Sequence, residues 1–286
     1  MPQRPGQADA HVDDAGRTFV LAAPPRRIVS LVPSLTELLF ELGAGEAVIG
    51  VTRYCTEPPH RVAPLAKLGG TKNPDLEALV ALGPDLVVMN AEENRREDFE
   101  ALAGGGVPVY VTEPKTVADG IRLIARLGAL VGCSEVATRL AAAQQAALDA
   151  VRARLQGATP VRYFCPIWRK PWMAFNADTY AHDVLAVAGG ANVTGDAAAR
   201  YPEVTLDAIA AARPEVVLLP DEPYRFTARD LPALAGLDAT AALRGGHVRF
   251  VDGKALAWYG LRIADAVATF ARVFAEARPI ARGVDG

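Results

Sequence analysis

Few groups in this 286-residue chain are suited to covalent staples or metal clusters. Its three cysteines, Cys55, Cys133 and Cys165, are scattered and odd in number. Without CxxC spacing they exclude a disulfide framework and a zinc-finger-type site. No apolar run reaches about 18 residues, so no membrane-spanning helix is expected. Net charge is −3 with both signs interspersed, which gives no general attraction to nucleic acid or anionic lipid. GxSxG, a GxGxxG after a strand and a P-loop are all missing. Gly104-Gly105-Gly106 follows a helical segment and precedes a strand, the wrong context for a phosphate cradle. Glu92-Glu93 and Asp221-Glu222 are adjacent carboxylates on loops, where side chains diverge and do not define an acid–base couple. No catalytic residue is therefore expected. The N-terminal MPQRPGQADAHVDDAGR is polar, with no apolar h-region and no lipidation cysteine. As written it predicts a cytoplasmic product; a start placed elsewhere, or a removed leader, gives a periplasmic or extracytoplasmic one.

With 51% hydrophobic and 22% charged residues, the chain can bury one large core or two ordinary ones. The organising stretch is Ser134 to Gln156, SEVATRLAAAQQAALDAVRARLQ, a helix with no internal Gly or Pro. Ser134 reads as its N-cap, with Glu135 in the first turn and Arg152 and Arg154 in the last. It spans roughly 35 Å. On both sides strand-like and helix-like segments alternate. Residues 1–16 read as a tail and 17–22 as an edge strand. Apolar runs at 28–32, 47–51, 86–89, 107–111, 161–165, 215–219 and 248–251 read as strands, most of them buried on both faces. Helices are expected at 35–42, with Ser34 as cap, and at 74–82, 93–102, 116–131, 180–188, 206–212 and 261–277.

An internal match bears on architecture. Asp75–Asn90, DLEALVALGPDLVVMN, aligns with Thr205–Pro220, TLDAIAAARPEVVLLP, 130 residues later. Thr36–Gly43, TELLFELG, aligns with His182–Gly189, HDVLAVAG. All α/β units share some of this pattern; the stronger reading is two equivalent α/β lobes related by a pseudo-twofold. The expected division is a tail over 1–25, an N-terminal lobe over 26–131, the long helix over 134–156 and a C-terminal lobe over 160–286. Ligands of such sheets bind at the loops after strand C-termini. In lobe one these loops carry Pro33, Ser34, Tyr54 and Glu93. In lobe two they carry Trp168, Arg169, Trp172, Tyr224, Trp258 and Tyr259. All three tryptophans fall there, as expected of an apolar wall for a large ligand. The four histidines have no recurrent spacing and read as surface or capping residues; His182 alone is kept as an axial ligand for a metal already held by a bound molecule. Glu77 and Asp207 occupy equivalent helix starts. They read either as acids favoured there by the dipole or as a matched pair for a twofold-symmetric partner bearing arginines.

These segments in this order, RRIVSLVPSLTELLFELG, VIGVTRYCTEPP, GGTKNPDLEALVALGPDLVV, PWMAFNADTYAHDVLAVAGGANV and YPEVTLDAIAAARPEVVLLP, resemble the class III, helical-backbone substrate-binding proteins of ABC transporters. The likeness covers roughly residues 26–276 and is greatest to the vitamin B12-binding branch. It implies two Rossmann-like, three-layer lobes joined by a single long backbone helix. It further implies a non-enzymatic receptor capturing cobalamin, with no intrinsic cofactor, in a cleft between the lobes. Pro33, Tyr54, Trp168, Trp172 and Trp258 would lie at or near the ligand, and Tyr54, Glu93 and Arg169 would orient its polar edges. Glu77 and Asp207 would meet arginines of an ABC permease dimer; Asp207 stands where Glu is usual. A monomer is expected. The competing readings are an iron–siderophore or haem receptor of the same fold and a cytoplasmic corrinoid-handling protein not tied to a transporter. The loops resemble a leaderless sub-branch.

Overall fold

Short runs of Val, Leu and Ile, too apolar to leave either face wet, set the architecture. In a computed structural model describing residues 10–278, they build two parallel sheets flanked by helices, within two compact units. The fold is α/β. Among the described residues, unit 1 comprises 10–114, 118–144 and 259–261, and unit 2 comprises 115–117, 145–258 and 262–278.

Unit 1 opens with an antiparallel ribbon, β1 (Ala10–Val12) and β2 (Thr18–Val20). Its elements then run β3 (Ile28–Ser30), α1 (Pro33–Glu41), β4 (Val48–Val51), α2 (Pro59–Val62), β5 (Ala66–Lys67), α3 (Leu76–Ala81), β6 (Leu86–Asn90), α4 (Arg96–Gly104), β7 (Val109–Thr112) and α5 (Val117–Leu130). The sheet order is β5-β4-β3-β6-β7. Every residue of β3, β6 and β7 is buried, the signature of strands covered on both faces. The long helix α6 (Ser134–Leu155) follows and runs unbroken from unit 1 into unit 2. It docks closely on α5, because a Cβ on Gly128 would come within 2.1 Å of the Ala137 methyl.

Unit 2 contains β8 (Val161–Phe164), α7 (Tyr180–Val187), β9 (Gly190–Asn192), α8 (Leu206–Ala211), β10 (Val216–Pro220), α9 (Ala241–Arg244), β11 (Val248–Val251), α10 (Lys254–Ala257) and α11 (Ile263–Ala277). Its sheet order is β11-β10-β8-β9, all parallel.

The internal match corresponds to matched structure in each unit considered alone. Asp75 Oδ1 accepts from the Ala78 N–H at 2.9 Å to cap α3; Thr205 Oγ1 accepts from the Ala208 N–H at 3.2 Å to cap α8. At the other end, Arg27 Nε donates to the Gly83 carbonyl at 3.0 Å, and its backbone N–H bonds Asp85. Arg162 does the same in unit 2, with Nε on the Ala212 carbonyl at 3.0 Å and its N–H on Glu215. A guanidinium, from Arg27 just before β3 and from Arg162 in β8, thus satisfies orphan carbonyls at the end of the helix leading into β6 or β10. The residue after each helix's C-cap turns left-handed: Gly83 at φ 58° and Arg213 at φ 50°.

Several expectations need correction. Residues 10–16 are not a tail: β1 pairs with β2, and Asp13, Asp14 and Arg17 bond the outer edge of β7. Residues 1–9 and 279–286 of the expected boundaries lie outside the described residues. Helix α1 begins at Pro33, so Ser34 lies inside it, and Val32 is an N-cap without a side-chain bond. Proline at the first helical position supplies the start that Ser34 was expected to supply. Ser134 is likewise the first helical residue; the Cys133 carbonyl accepts from the Ala137 N–H. Strands β5 and β9 were not expected, since two or three residues carry too little periodicity to register; the ten-residue 3₁₀ stretch Ala228–Leu237, interrupted by Pro232, was not expected either.

Gly83 has open space around its Cβ position, and Arg213 is exposed, so backbone conformation alone distinguishes them. Gly83→Ala should cost about 1 kcal/mol, whereas Arg213→Gly should add about 0.5 kcal/mol. Urea midpoints at constant m-value measure both; shifts of the same sign would show that the two turns are not equivalent.

Candidate functional site

In unit 1, the strand-end loops are held by two buried asparagines. Asn94 Nδ2 donates to the Leu31 carbonyl at 3.3 Å and to the Thr71 carbonyl at 2.9 Å, while its Oδ1 accepts from the Asn90 N–H at 2.9 Å. Asn90 Oδ1 accepts from the N–H groups of Glu92 and Glu93 at 2.9 and 3.1 Å. Lys72 Nζ adds a bond to the Glu92 carbonyl at 2.7 Å. The loops carrying Pro33 and Ser34, Thr71 and Lys72, and Glu93 are therefore one connected surface. Tyr54 stands 53% exposed on the loop after β4, with the Arg53 guanidinium 5.2 Å from its ring centroid. Gly70 leaves room for both: a Cβ there would approach Tyr54 Cε2 at 3.1 Å and Arg53 Nη2 at 3.2 Å. Pro33 and Ser34 are buried at the first turn of α1, and Glu93 is half-buried.

In unit 2, the loop after β8 folds back on itself. Ile167 N–H donates to the Met173 carbonyl and Met173 N–H to the Trp168 carbonyl, with Lys170 at φ 78° in the turn. This fixes Trp168, Arg169 and Trp172 relative to one another. Trp168, 44% exposed, meets Tyr224 edge-on at 5.5 Å. Tyr224 contacts Phe226 at 4.6 Å, and Phe226 stacks on Trp172 at 6.0 Å. Asp230 anchors the group. It accepts from Arg169, from the Tyr224 hydroxyl at 3.1 Å, and from Thr227 N–H and Oγ1 at 2.8 and 3.1 Å. Burial works against ionisation of Asp230. The hydrogen bonds from the Thr227 backbone, Arg169, Thr227 Oγ1 and Tyr224 outweigh it and hold the carboxyl below its ordinary range. Asp230 was not among the expected residues, although Thr227-x-x-Asp230 has capping-box spacing and forms one.

The other expected residues fall elsewhere. Trp258 is 6% exposed and Tyr259 is also buried. Lys254 Nζ lies 4.8 Å and Arg262 Cζ 5.0 Å from the Trp258 ring; being buried, Trp258 is not part of an open wall of three tryptophans. Of the expected aromatic residues of unit 2, Trp168 is the exposed one. His182 Nδ1 lies 3.3 Å from Asn192 Nδ2. Asn192 is oriented by donation from Nδ2 to the Phe175 carbonyl and by acceptance at Oδ1 from Thr194. Asn192 Nδ2 can only donate, so this contact suits the tautomer with the proton on Nε2. Burial lowers the His182 pKa, against the opposing influence of Asp183. Among the described residues, no three His, Cys, Asp or Glu side chains converge as a metal site. Burial pushes the Cys55 and Cys165 thiols up; all three cysteines are free. Glu77 and Asp207 are both exposed, at the second residue of α3 and of α8.

The periplasmic binding protein family matches residues 28–255. The chain belongs to that family. It is 29% identical over 230 residues to the vitamin B12-binding protein of Vibrio parahaemolyticus, covering 79% of this chain and 80% of that one. Among solved structures, the periplasmic vitamin B12 binding protein BtuF of Vibrio cholerae superimposes with a TM-score of 0.78 at 23% identity, over 89% of this chain and 98% of that one. The periplasmic heme-binding protein RhuT from Roseiflexus sp. RS-1 gives 0.79 at 26% identity, over 88% and 99%. These likenesses share the two-lobe α/β fold. Among the described residues of this family member, no helix is long and apolar enough to cross a membrane.

Because the folded-state pKa of Asp230 is depressed, its contribution to stability is complete above the ordinary aspartate pKa of about 3.9 and is lost as pH falls through the lower folded value. Asp230→Asn should therefore be less stable than wild type at pH 7, with the gap narrowing below about pH 4. Urea midpoints at pH 7 and pH 3.5 test this; a gap independent of pH would remove the ionised carboxylate from the account.

Proposed function

We propose that this protein is a non-enzymatic substrate-binding protein that captures cobalamin, or a similarly large metal chelate, for an ABC importer. The observation that carries the proposal is the likeness to vitamin B12-binding relatives over about four-fifths of both chains. The loop geometry supports it. Cobalamin presents a broad ring with a periphery of amides. Trp168, with Tyr224, Phe226 and Trp172 behind it, offers apolar area whose position is already fixed, so little side-chain entropy is lost on contact. Arg169 is held by Asp230, and with Tyr54 and Glu93 it would orient polar edges. Pro33 and Ser34 in unit 1, and Trp258 and Tyr259 after α10, are proposed as further ligand-binding residues.

The metal here is cargo and arrives within its own chelate, so the protein need not supply a ligand set. Glu77 and Asp207 are proposed as the contacts to arginines of a permease dimer. Both are exposed acids behind side-chain-capped helix starts, where the carboxylates are free to form bidentate pairs. The working units are proposed as lobes over 26–131 and 160–286 with the helix 134–156 between them, acting as a monomer. Capture outside the cytoplasm is proposed from the periplasmic relatives, and fractionation of the native protein decides it.

A haem receptor is the second reading. It is favoured by the exposed Tyr54 phenol beside Arg53, an oxygen ligand suited to ferric iron, and by the 26% identity to a heme-binding structure.

Titration with cyanocobalamin, haemin and a ferric siderophore separates the candidates. At a cobalamin concentration of 100 Kd the folded state should gain about 2.7 kcal/mol. Trp168→Ala should weaken cobalamin binding about tenfold or more. No thermal shift with cobalamin would end the first reading, and unchanged affinity in the variant would move the site off the loop after β8.

A further inference from the structure

Asn94 meets a demand that few other side chains could satisfy. The amide faces two carbonyl acceptors and one N–H donor at once: Leu31 O, Thr71 O and Asn90 N. It is 5% exposed, so water does not replace a lost bond cheaply. A carboxylate has no donor for the two carbonyls, and a hydroxyl has only one. Its partners lie on three segments: Leu31, the residue after β3 that leads into Pro33 and Ser34; Thr71, in the loop between β5 and α3; and Asn90, the last residue of β6, from which the turn carrying Glu93 departs. The Leu31 N–H still reaches the Val88 carbonyl of β6, but Thr71 lies beyond the strands, and the Asn94 amide ties it to the other two.

We propose that Asn94 is a positioning residue for ligand capture: one buried amide that locks the three strand-end loops of unit 1 into a single prearranged surface. The proposal deepens the substrate-binding reading and rests on it. Asn94 need not touch the ligand. It holds Pro33, Ser34 and Glu93 in a binding-ready arrangement, so that ordering them is not charged against affinity. Unit 2 offers a parallel in Asp230, which ties Arg169 of the loop after β8 to Tyr224 and Thr227 of the loop after β10. The two nodes differ in chemistry: Asn94 is neutral, so the arrangement in unit 1 does not depend on acid titration of its tie.

The test compares Asn94→Ala and Asn94→Asp with Asp98→Asn. Asp98 is equally buried in unit 1 but pairs with Arg95 within α4 and its cap and bonds none of these loops. All three substitutions should lower the melting temperature. Only the Asn94 variants should speed amide hydrogen exchange in segments 31–36 and 69–74, and only they should weaken cyanocobalamin binding, by about tenfold. Asn94→Asp should be the worse of the two, because its carboxylate faces two carbonyl oxygens. Wild-type exchange rates in 69–74 in both Asn94 variants would overturn the proposal. So would an affinity loss no larger than that of Asp98→Asn. If the wild type binds neither cyanocobalamin nor haemin, the substrate-binding reading fails and the ligand part of this proposal with it, while exchange alone still decides whether Asn94 holds the loops together.

Discussion

Burying parallel strands on both faces places a constraint on everything beyond their ends. Inside the sheet each backbone group has a partner on the neighbouring strand. Past the last residue the ladder stops, yet the chain is still partly buried, and its polar groups need other partners. Both units meet this need with side chains. Arg27 and Arg162 serve the helix ends on the entry side of the central strands. Asn90, Asn94 and Asp230 serve the loops on the exit side. The same bonds that satisfy buried backbone also hold loop side chains still, which is the property a ligand-binding surface requires.

This division explains what the amino-acid pattern revealed. Elements whose identity rests on apolar repetition were legible. LVVM and VVLL mark the central strands, and the 130-residue repeat marks two related units with capped helices in equivalent places. The long helix was legible because 22 residues without Gly or Pro admit little else. Elements of two or three residues, such as Ala66–Lys67 and Gly190–Asn192, were not, because their existence depends on partners distant in sequence.

The site was legible only in outline. Loop location follows from topology, so Tyr54 and Trp168 could be named as loop aromatics, and both are exposed. Exposure within a loop does not follow from topology, and Trp258 stands buried with two cations against its ring. The neighbour of the His182 ring was beyond reach altogether, since Asn192 lies ten residues away and on another element. Asn94 and Asp230 look like ordinary polar loop residues in the sequence. Their importance lies in how many different segments each one bonds.

The ribbon at residues 10–20 has a consequence for how the molecule behaves among its copies. Strand β7 ends the five-stranded sheet, and its outward N–H and C=O groups would be open to any passing strand. Asp13, Asp14 and Arg17 occupy them with Val111, Glu113 and Val109. The N-terminal residues thus act as a chemical hem, closing an edge that would otherwise recruit strands from other chains. A chain cut back to residue 22 keeps its core and its candidate site, yet it becomes prone to joining sheet to sheet with its neighbours.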